Sequence, residues 1–143
     1  MKSFFLFFFA LGFSIIGFSQ TNDSTTIIKL LEKESATWRS GDSTAHADCW
    51  QIQPYSTVLI MAADGKSFSI PAEKIVHGSS SMMGKGGSSK NTNYHVSIHA
   101  NTAIVTHNEA STSVDGTSYT FEVRVLEKIN GQWKITGQII QIL

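Results

Sequence analysis

The chain of 143 residues carries 11 basic and 11 acidic side chains, for a formal charge of zero, and Arg39 and Arg124 are its two arginines. Such a balance lacks the basic footprint of a nucleic-acid binder and the like-charge blocks of an acidic or basic tail. The single cysteine, Cys49, excludes an internal disulfide, and no Cys/His spacing suggests a metal centre.

The N-terminus reads as an export signal. Lys2 supplies a positive n-region, Phe4 to Phe18 is almost wholly apolar, and Gly17-Phe18-Ser19 offers small residues before cleavage ahead of Gln20. The apolar run is shorter than the ~20 residues of a membrane-spanning helix, and a polar stretch follows at once. Removing residues 1–19 leaves 124 of the 143, one domain with no membrane segment, delivered to the periplasm or the exterior.

The first element of the mature chain is helical. Ile28, Leu31, Ser35 and Trp38 recur at helical spacing, Ile27 and Leu30 widen the stripe, and Gly41 stops it. Asp42 or Ser43 caps a second helix running to about Trp50. Ser56 to Ala63 and Lys66 to Ile70 read as strands around an Asp64-Gly65 turn, and Pro71 opens a third helix at its first helical position. Residues 78–93, rich in Gly and Ser, read as a mobile loop, either a connector or a flap over a ligand site. A phosphate-binding loop is excluded around Gly84-Lys85, because the glycine spacing is wrong and Gly86 stands where Ser or Thr is needed.

From Asn93 the period is two. Turns at Ala100-Asn101, Asp115-Gly116 and Asn130-Gly131 divide the remainder into a four-stranded antiparallel meander. Helices followed by strands argue for an α+β fold. If both late turns are two-residue loops, His107 faces Arg124, Glu109 faces Glu122, Leu126 faces Ile135, Arg124 faces Gly137 and Glu122 faces Ile139. Ile104, Phe121, Val123, Val125 and Ile140 then lie on the other side.

Val123 to Lys128, then Gly131-Gln132-Trp133-Lys134-Ile135, resembles the closing hairpin of the nuclear-transport-factor-2-like superfamily, in its SnoaL-like branch. Glu34 to Asp42, Ala47 to Trp50 and Pro54-Tyr55 are similar to the helical hairpin that opens many such domains. The resemblance spans residues 25–143. It implies a cone: a curved antiparallel sheet wrapped around N-terminal helices, a pocket between them, and often a dimer through the outer sheet face. It does not imply one activity, since the fold hosts isomerases, dehydratases, cyclases and non-catalytic binders.

In that frame His107, Glu109, Glu122 and Arg124 point into the pocket. Arg124 would hold an anionic or carbonyl group, and His107, Glu109 or Glu122 would move a proton, because opposed carboxylates push one pKa up. The plainer alternative is a structural network in which Arg124 neutralises the carboxylates. Trp50 and Tyr55 would line the mouth, and Gly137 and Ile139 would leave one wall bare or apolar. His77, His95 and His99 read as exposed. The outer face, with Phe121, Val123, Val125 and Ile140, is expected to form a homodimer. The resulting function is an exported small-molecule-binding domain without cofactor or metal. The alternatives are a cofactor-free isomerase or lyase working by proton transfer, and a structural or partner-binding homodimer.

Overall fold

The structure is a computed structural model that describes residues 16–79, 81–84 and 86–143, with side chains from Asn22 onward. The export-signal reading of residues 1–19 falls outside the described residues, apart from the helical backbone of 16–19.

Helix α1 (Ile16–Ser40) buries Ile27, Leu31, Glu34 and Ser35 on one stripe. These positions are four, three and one apart, the spacing of a single helical face. Helix α2 (Ser43–Ala47) starts at Asp42, whose carboxylate accepts the Ala45 N–H at 3.0 Å. It ends three residues earlier than expected because the backbone joins the sheet. Trp50 pairs with Ile135 in a parallel bridge, the Gln51 N–H donates to the Ile135 carbonyl at 2.9 Å, and the Ile135 N–H donates to the Cys49 carbonyl at 3.0 Å.

Strands β1 (Thr57–Met61) and β2 (Ser67–Pro71) form the expected hairpin, and helix α3 (Ala72–Val76) follows with Pro71 at its N-cap. Then come β3 (Ser88–His99), β4 (Thr102–Ser113), β5 (Gly116–Ile129) and β6 (Gln132–Ile142). The strand order is β2-β1-β6-β5-β4-β3, antiparallel except for the β1–β6 pair. The sheet is curved and unclosed, the expected α+β architecture with helices against the concave face. Its core joins Ile27 and Leu31 of α1 to Val105, Leu126, Trp133 and Ile135 of the sheet.

The expected loop over 78–93 is shorter than its composition suggested, because β3 begins at Ser88 and bulges between Thr92 and His95. What remains is tied to the end of α1. The N–H of Gly84 donates to the Trp38 carbonyl at 3.0 Å, that of Gly86 to the Arg39 carbonyl at 2.8 Å, and Met83 is buried.

The Asn130-Gly131 turn forms as expected. Both residues have positive φ, +50° and +80°, the left-handed pair of a type I′ turn. Leu126 accordingly faces Ile135. Beyond that pair β6 bulges. Val125 is opposite Gly137, Arg124 opposite Gln138 and Glu122 opposite Ile140, leaving Thr136 as the extra residue, with its hydroxyl donating to the Val125 carbonyl at 3.3 Å. One inserted residue moves every later side chain to the other face. Gln138 and Ile140 therefore point inward and Gly137 and Ile139 outward, reversing the expected assignment and removing Ile140 from the outer face.

The β4–β5 turn also differs. Ser113 pairs with Gly116, so the two loop residues are Val114-Asp115 rather than Asp115-Gly116. The Ser113 hydroxyl accepts the Asp115 N–H at 3.2 Å, a side-chain turn that closes the loop early. The pairing moves by two residues: His107 stands opposite Glu122, Val105 opposite Arg124 and Glu109 opposite Thr120. An even shift preserves faces, so the concave set survives while the expected opposition of Glu109 and Glu122 does not.

Candidate functional site

The concave face of β4 and β5 carries alternating polar groups that are nearly inaccessible. His107, Glu109, Glu122 and Arg124 are 0, 7, 4 and 2% exposed. Burial of so much charge demands partners. Arg124 meets two carboxylates: its Nη2 lies 2.6 Å from Glu122 Oε2 and its Nη1 lies 3.1 Å from Glu34 Oε2. Glu34 comes from α1 and also accepts the indole N–H of Trp50 at 3.3 Å. Glu122 further accepts the Gln138 amide at 3.1 Å and the Thr120 hydroxyl at 2.9 Å.

Glu109 is held differently. Its oxygens accept the hydroxyls of Ser35, at 2.7 Å, and Ser111, at 2.5 Å, and Asn91 donates to the Ser35 oxygen at 3.1 Å. His107 sits at the inner end of the set. Its Nε2 is 3.9 Å from Glu122 Oε2, and its ring lies 5.3 Å from that of Tyr94.

These surroundings set the charge states. Burial holds His107 below the usual histidine range, and the Arg124 guanidinium adds to that. Burial raises the Glu122 carboxyl, but Arg124, His107 and the hydrogen bonds from Thr120 and Gln138 outweigh it and keep the group lowered. Burial likewise opposes the Arg124 charge, and the carboxylates of Glu122, Glu34 and Glu109 overcome it and raise the pKa. His46 is fully buried between Trp38 and Trp50, with ring centroids 5.2 and 6.3 Å away, and burial lowers its pKa too.

Beside this network lies a cavity of about 150 Å3 between α1, α3 and the sheet. Glu34, Glu109, Glu122, Arg124 and Gln138 form its polar wall, and Val58, Ile60, Ile75 and Ile140 form its apolar one. Arg39 and Trp38 complete it from the end of α1.

Of the residues expected at the site, Glu109, Glu122 and Arg124 line this cavity, while His107 stands behind the wall. Trp50 is a core residue that positions Glu34. Tyr55 is 62% exposed and donates its hydroxyl to Glu127, so it does not line the mouth. Both terminal nitrogens of Arg124 face carboxylates, contrary to an anion-holding role. His77, His95 and His99 are exposed as expected.

Glu34, Ser35 and Gln138 were missed as polar site residues. Glu34 had a signal: it falls three residues after Leu31 and seven after Ile27, a charge on the buried stripe of α1. Among the described residues, no group of three or more His, Cys, Asp or Glu is placed to hold a metal ion, and no helix is long and apolar enough to cross a membrane.

No protein-family model matches the chain, and no curated protein matches it. Solved structures do. An NTF2-like protein of unknown function from Shewanella baltica superposes with a TM-score of 0.65 at 15% identity, covering 86% of this chain and 95% of the other. An NTF2-like protein with a cystatin-like fold from Novosphingobium aromaticivorans gives 0.66 at 13% identity, covering 92% of each chain. A proposed dehydratase of the NTF2-like family from Streptomyces avermitilis gives 0.65 at 15% identity, covering 86% of this chain and 97% of the other. The class defined here is thus the α+β cone with a cavity on its concave face. The chain has the NTF2-like, cystatin-like fold.

Proposed function

We propose that the protein is an exported small-molecule-binding domain of the SnoaL-like type whose ligand occupies the concave cavity. The carrying observation is the cavity itself: a space of about 150 Å3 bounded on one side by the Glu34–Arg124–Glu122 system and on the other by aliphatic side chains. Apolar walls with a few convergent polar groups are the composition of a ligand site. The space is below the ~300 Å3 at which drug-sized sites begin, which points to a small metabolite. Export rests on the n-region and apolar run before Gln20, and the SnoaL-like placement on the closing hairpin.

The test is a thermal-shift screen of small polar metabolites with Ile140→Phe as control, since the larger ring fills the cavity without altering its charges. A ligand should raise the wild-type melting temperature and leave the variant unmoved. Equal shifts in both proteins would place binding elsewhere.

A second reading is cofactor-free proton transfer by an isomerase or lyase. A neutral imidazole at His107, 3.9 Å from Glu122, favours it, as does the likeness to a proposed dehydratase. It ranks second because His107 does not line the cavity. Separately, a homodimer through the outer sheet face is supported by the exposed Ile104, Phe121 and Val125, with Val123 half-buried between them. Light scattering at micromolar concentration should give twice the monomer mass, and a monomer mass would rule this face out.

A further inference from the structure

The concave face continues past the end of the cavity. Strand register sets its inward residues in rows across the sheet, and one row runs Glu122, Ile140, Ile60, Phe68, from β5 through β6 and β1 to β2. The row changes character along its length. Glu122 is 4% exposed, Ile140 and Ile60 are half-buried, and Phe68 is 52% exposed. Ile142, two residues beyond Ile140 on the same face of β6, is 40% exposed. Ile60 and Ile140 line the cavity, so Phe68 and Ile142 carry its apolar wall into the open as one shelf. Single exposed apolar side chains need no explanation, but a continuous surface leading out of a polar-ended cavity does.

The polar end limits what can enter. Its wall carries both signs, Arg39 and Arg124 beside Glu34, Glu109 and Glu122, so a charged group of either sign meets a like charge there. Arg124 is already divided between Glu34 and Glu122. The carboxylates still have room for an uncharged donor: Glu109 takes two hydroxyls, of the roughly four donors a carboxylate accommodates.

We propose that the ligand is an uncharged amphipathic molecule, with a hydroxyl at one end and an aliphatic chain at the other. This rests on the ligand-binding reading above and names its ligand class. The hydroxyl enters the cavity and donates to a carboxylate of the polar wall. The chain lies across Ile140 and Ile60 and ends against Phe68. Its length is set by the sheet: three strand spacings of ~4.8 Å separate Glu122 from Phe68, ~14 Å in all.

The experiment is a two-dimensional NMR titration of the isotope-labelled protein with the straight-chain primary alcohols butanol, hexanol and octanol, and with octylamine and octanoate. Affinity should rise about fourfold at each step of the alcohol series, half the transfer value of two methylenes because the shelf covers one side of the chain. Phe68→Ser should weaken octanol by a similar factor and leave butanol unchanged, while Phe121→Ser on the outer face should change neither. Equal affinity along the series, or octanol binding unmoved by Phe68→Ser, overturns the shelf and leaves the cavity as the whole site. Octylamine or octanoate binding as tightly as octanol overturns the uncharged end. If Phe68→Ser lowers the mass seen in light scattering, a second copy covers the shelf and the proposal is wrong. Binding by none of the alcohols overturns the amphipathic ligand, and the metabolite screen then decides the broader reading.

Discussion

Arg124 reaches Glu122 along its own strand: the two residues are two apart on β5, and Nη2 lies 2.6 Å from Oε2. Alternation in a strand puts such residues on one face, and here that face turns inward. The second carboxylate, Glu34, comes across from α1, so one guanidinium joins helix to sheet. Arg124→Met should therefore leave two buried carboxylates uncompensated and cost about 3–5 kcal/mol, measured as a fall in the urea midpoint. Adding Glu122→Gln to that variant should recover part of the loss. A loss below about 1 kcal/mol would mean that solvent already screens the pair.

Acidification should destabilise the fold in two stages. Burial lowers His107 and His46 below the ordinary value of 6.5. Arg124, Glu122 and Glu109 face His107, and Glu34 and Arg124 face His46. Because the folded pKa values are depressed, the unfolded chain binds more protons as pH falls below about 6.5. Stability is complete above that value and is lost as pH falls through the folded values, at most about 1.4 kcal/mol per pH unit for each histidine. Glu122, lowered from 4.5, adds a loss of the same sign below that pH. Urea midpoints should hold steady from pH 8 to 7 and fall from 6.5 to 5, less steeply in His107→Asn. An unchanged midpoint at pH 5 would contradict neutral buried imidazoles.

How far the site could be read from the chain depended on which errors were even and which were odd. The Asn130-Gly131 turn carries its own backbone signature, so the pairing of Leu126 with Ile135 was legible. The β4–β5 loop was misplaced, but the pairing moved by two, and His107, Glu109, Glu122 and Arg124 stayed inward. Thr136 undid the next inference. Its bulge shifts the period by one, and its one local sign, the strand-interior Gly137 beside it, was taken for a bare stretch of wall, so Gln138 and Ile140 were assigned to the wrong face. Glu34 was visible on the helical stripe, yet what it meets across the core is a long-range fact that periodicity does not contain. Tyr55 lay beyond reach because its direction depends on the loop before β1.

Cys49 should be chemically silent in the native protein. It is fully buried, and burial pushes its thiol up to about 11. At pH 8 little thiolate forms and reagent cannot reach it. Thiol labelling at that pH should proceed at the rate of structural opening and become fast in denaturant. Rapid stoichiometric labelling without denaturant would show that the segment between α2 and β1 opens far more readily than its bonds to Ile135 suggest.

The strap between α3 and β3 should depend on Gly87 more than on any turn glycine. Gly87 has φ of +98°, and a Cβ built there would lie 2.0 Å from the Thr112 carbonyl oxygen, a backbone atom of the neighbouring strand. Gly131 also has positive φ, +80°, but a Cβ there meets nothing within 4 Å. Gly131→Ala thus carries only the left-handed strain, about 1–2 kcal/mol. Gly87→Ala adds a collision that only a shift of β3 against β4 relieves. The start of β3 holds Asn91, which hydrogen-bonds the Ser35 hydroxyl that in turn donates to Glu109. Gly87→Ala should accordingly lower the melting temperature more than Gly131→Ala and weaken binding of any cavity ligand, whereas Gly131→Ala should leave affinity unchanged. Equal destabilisation by the two variants would show that the close approach of Gly87 to Thr112 is not maintained in solution.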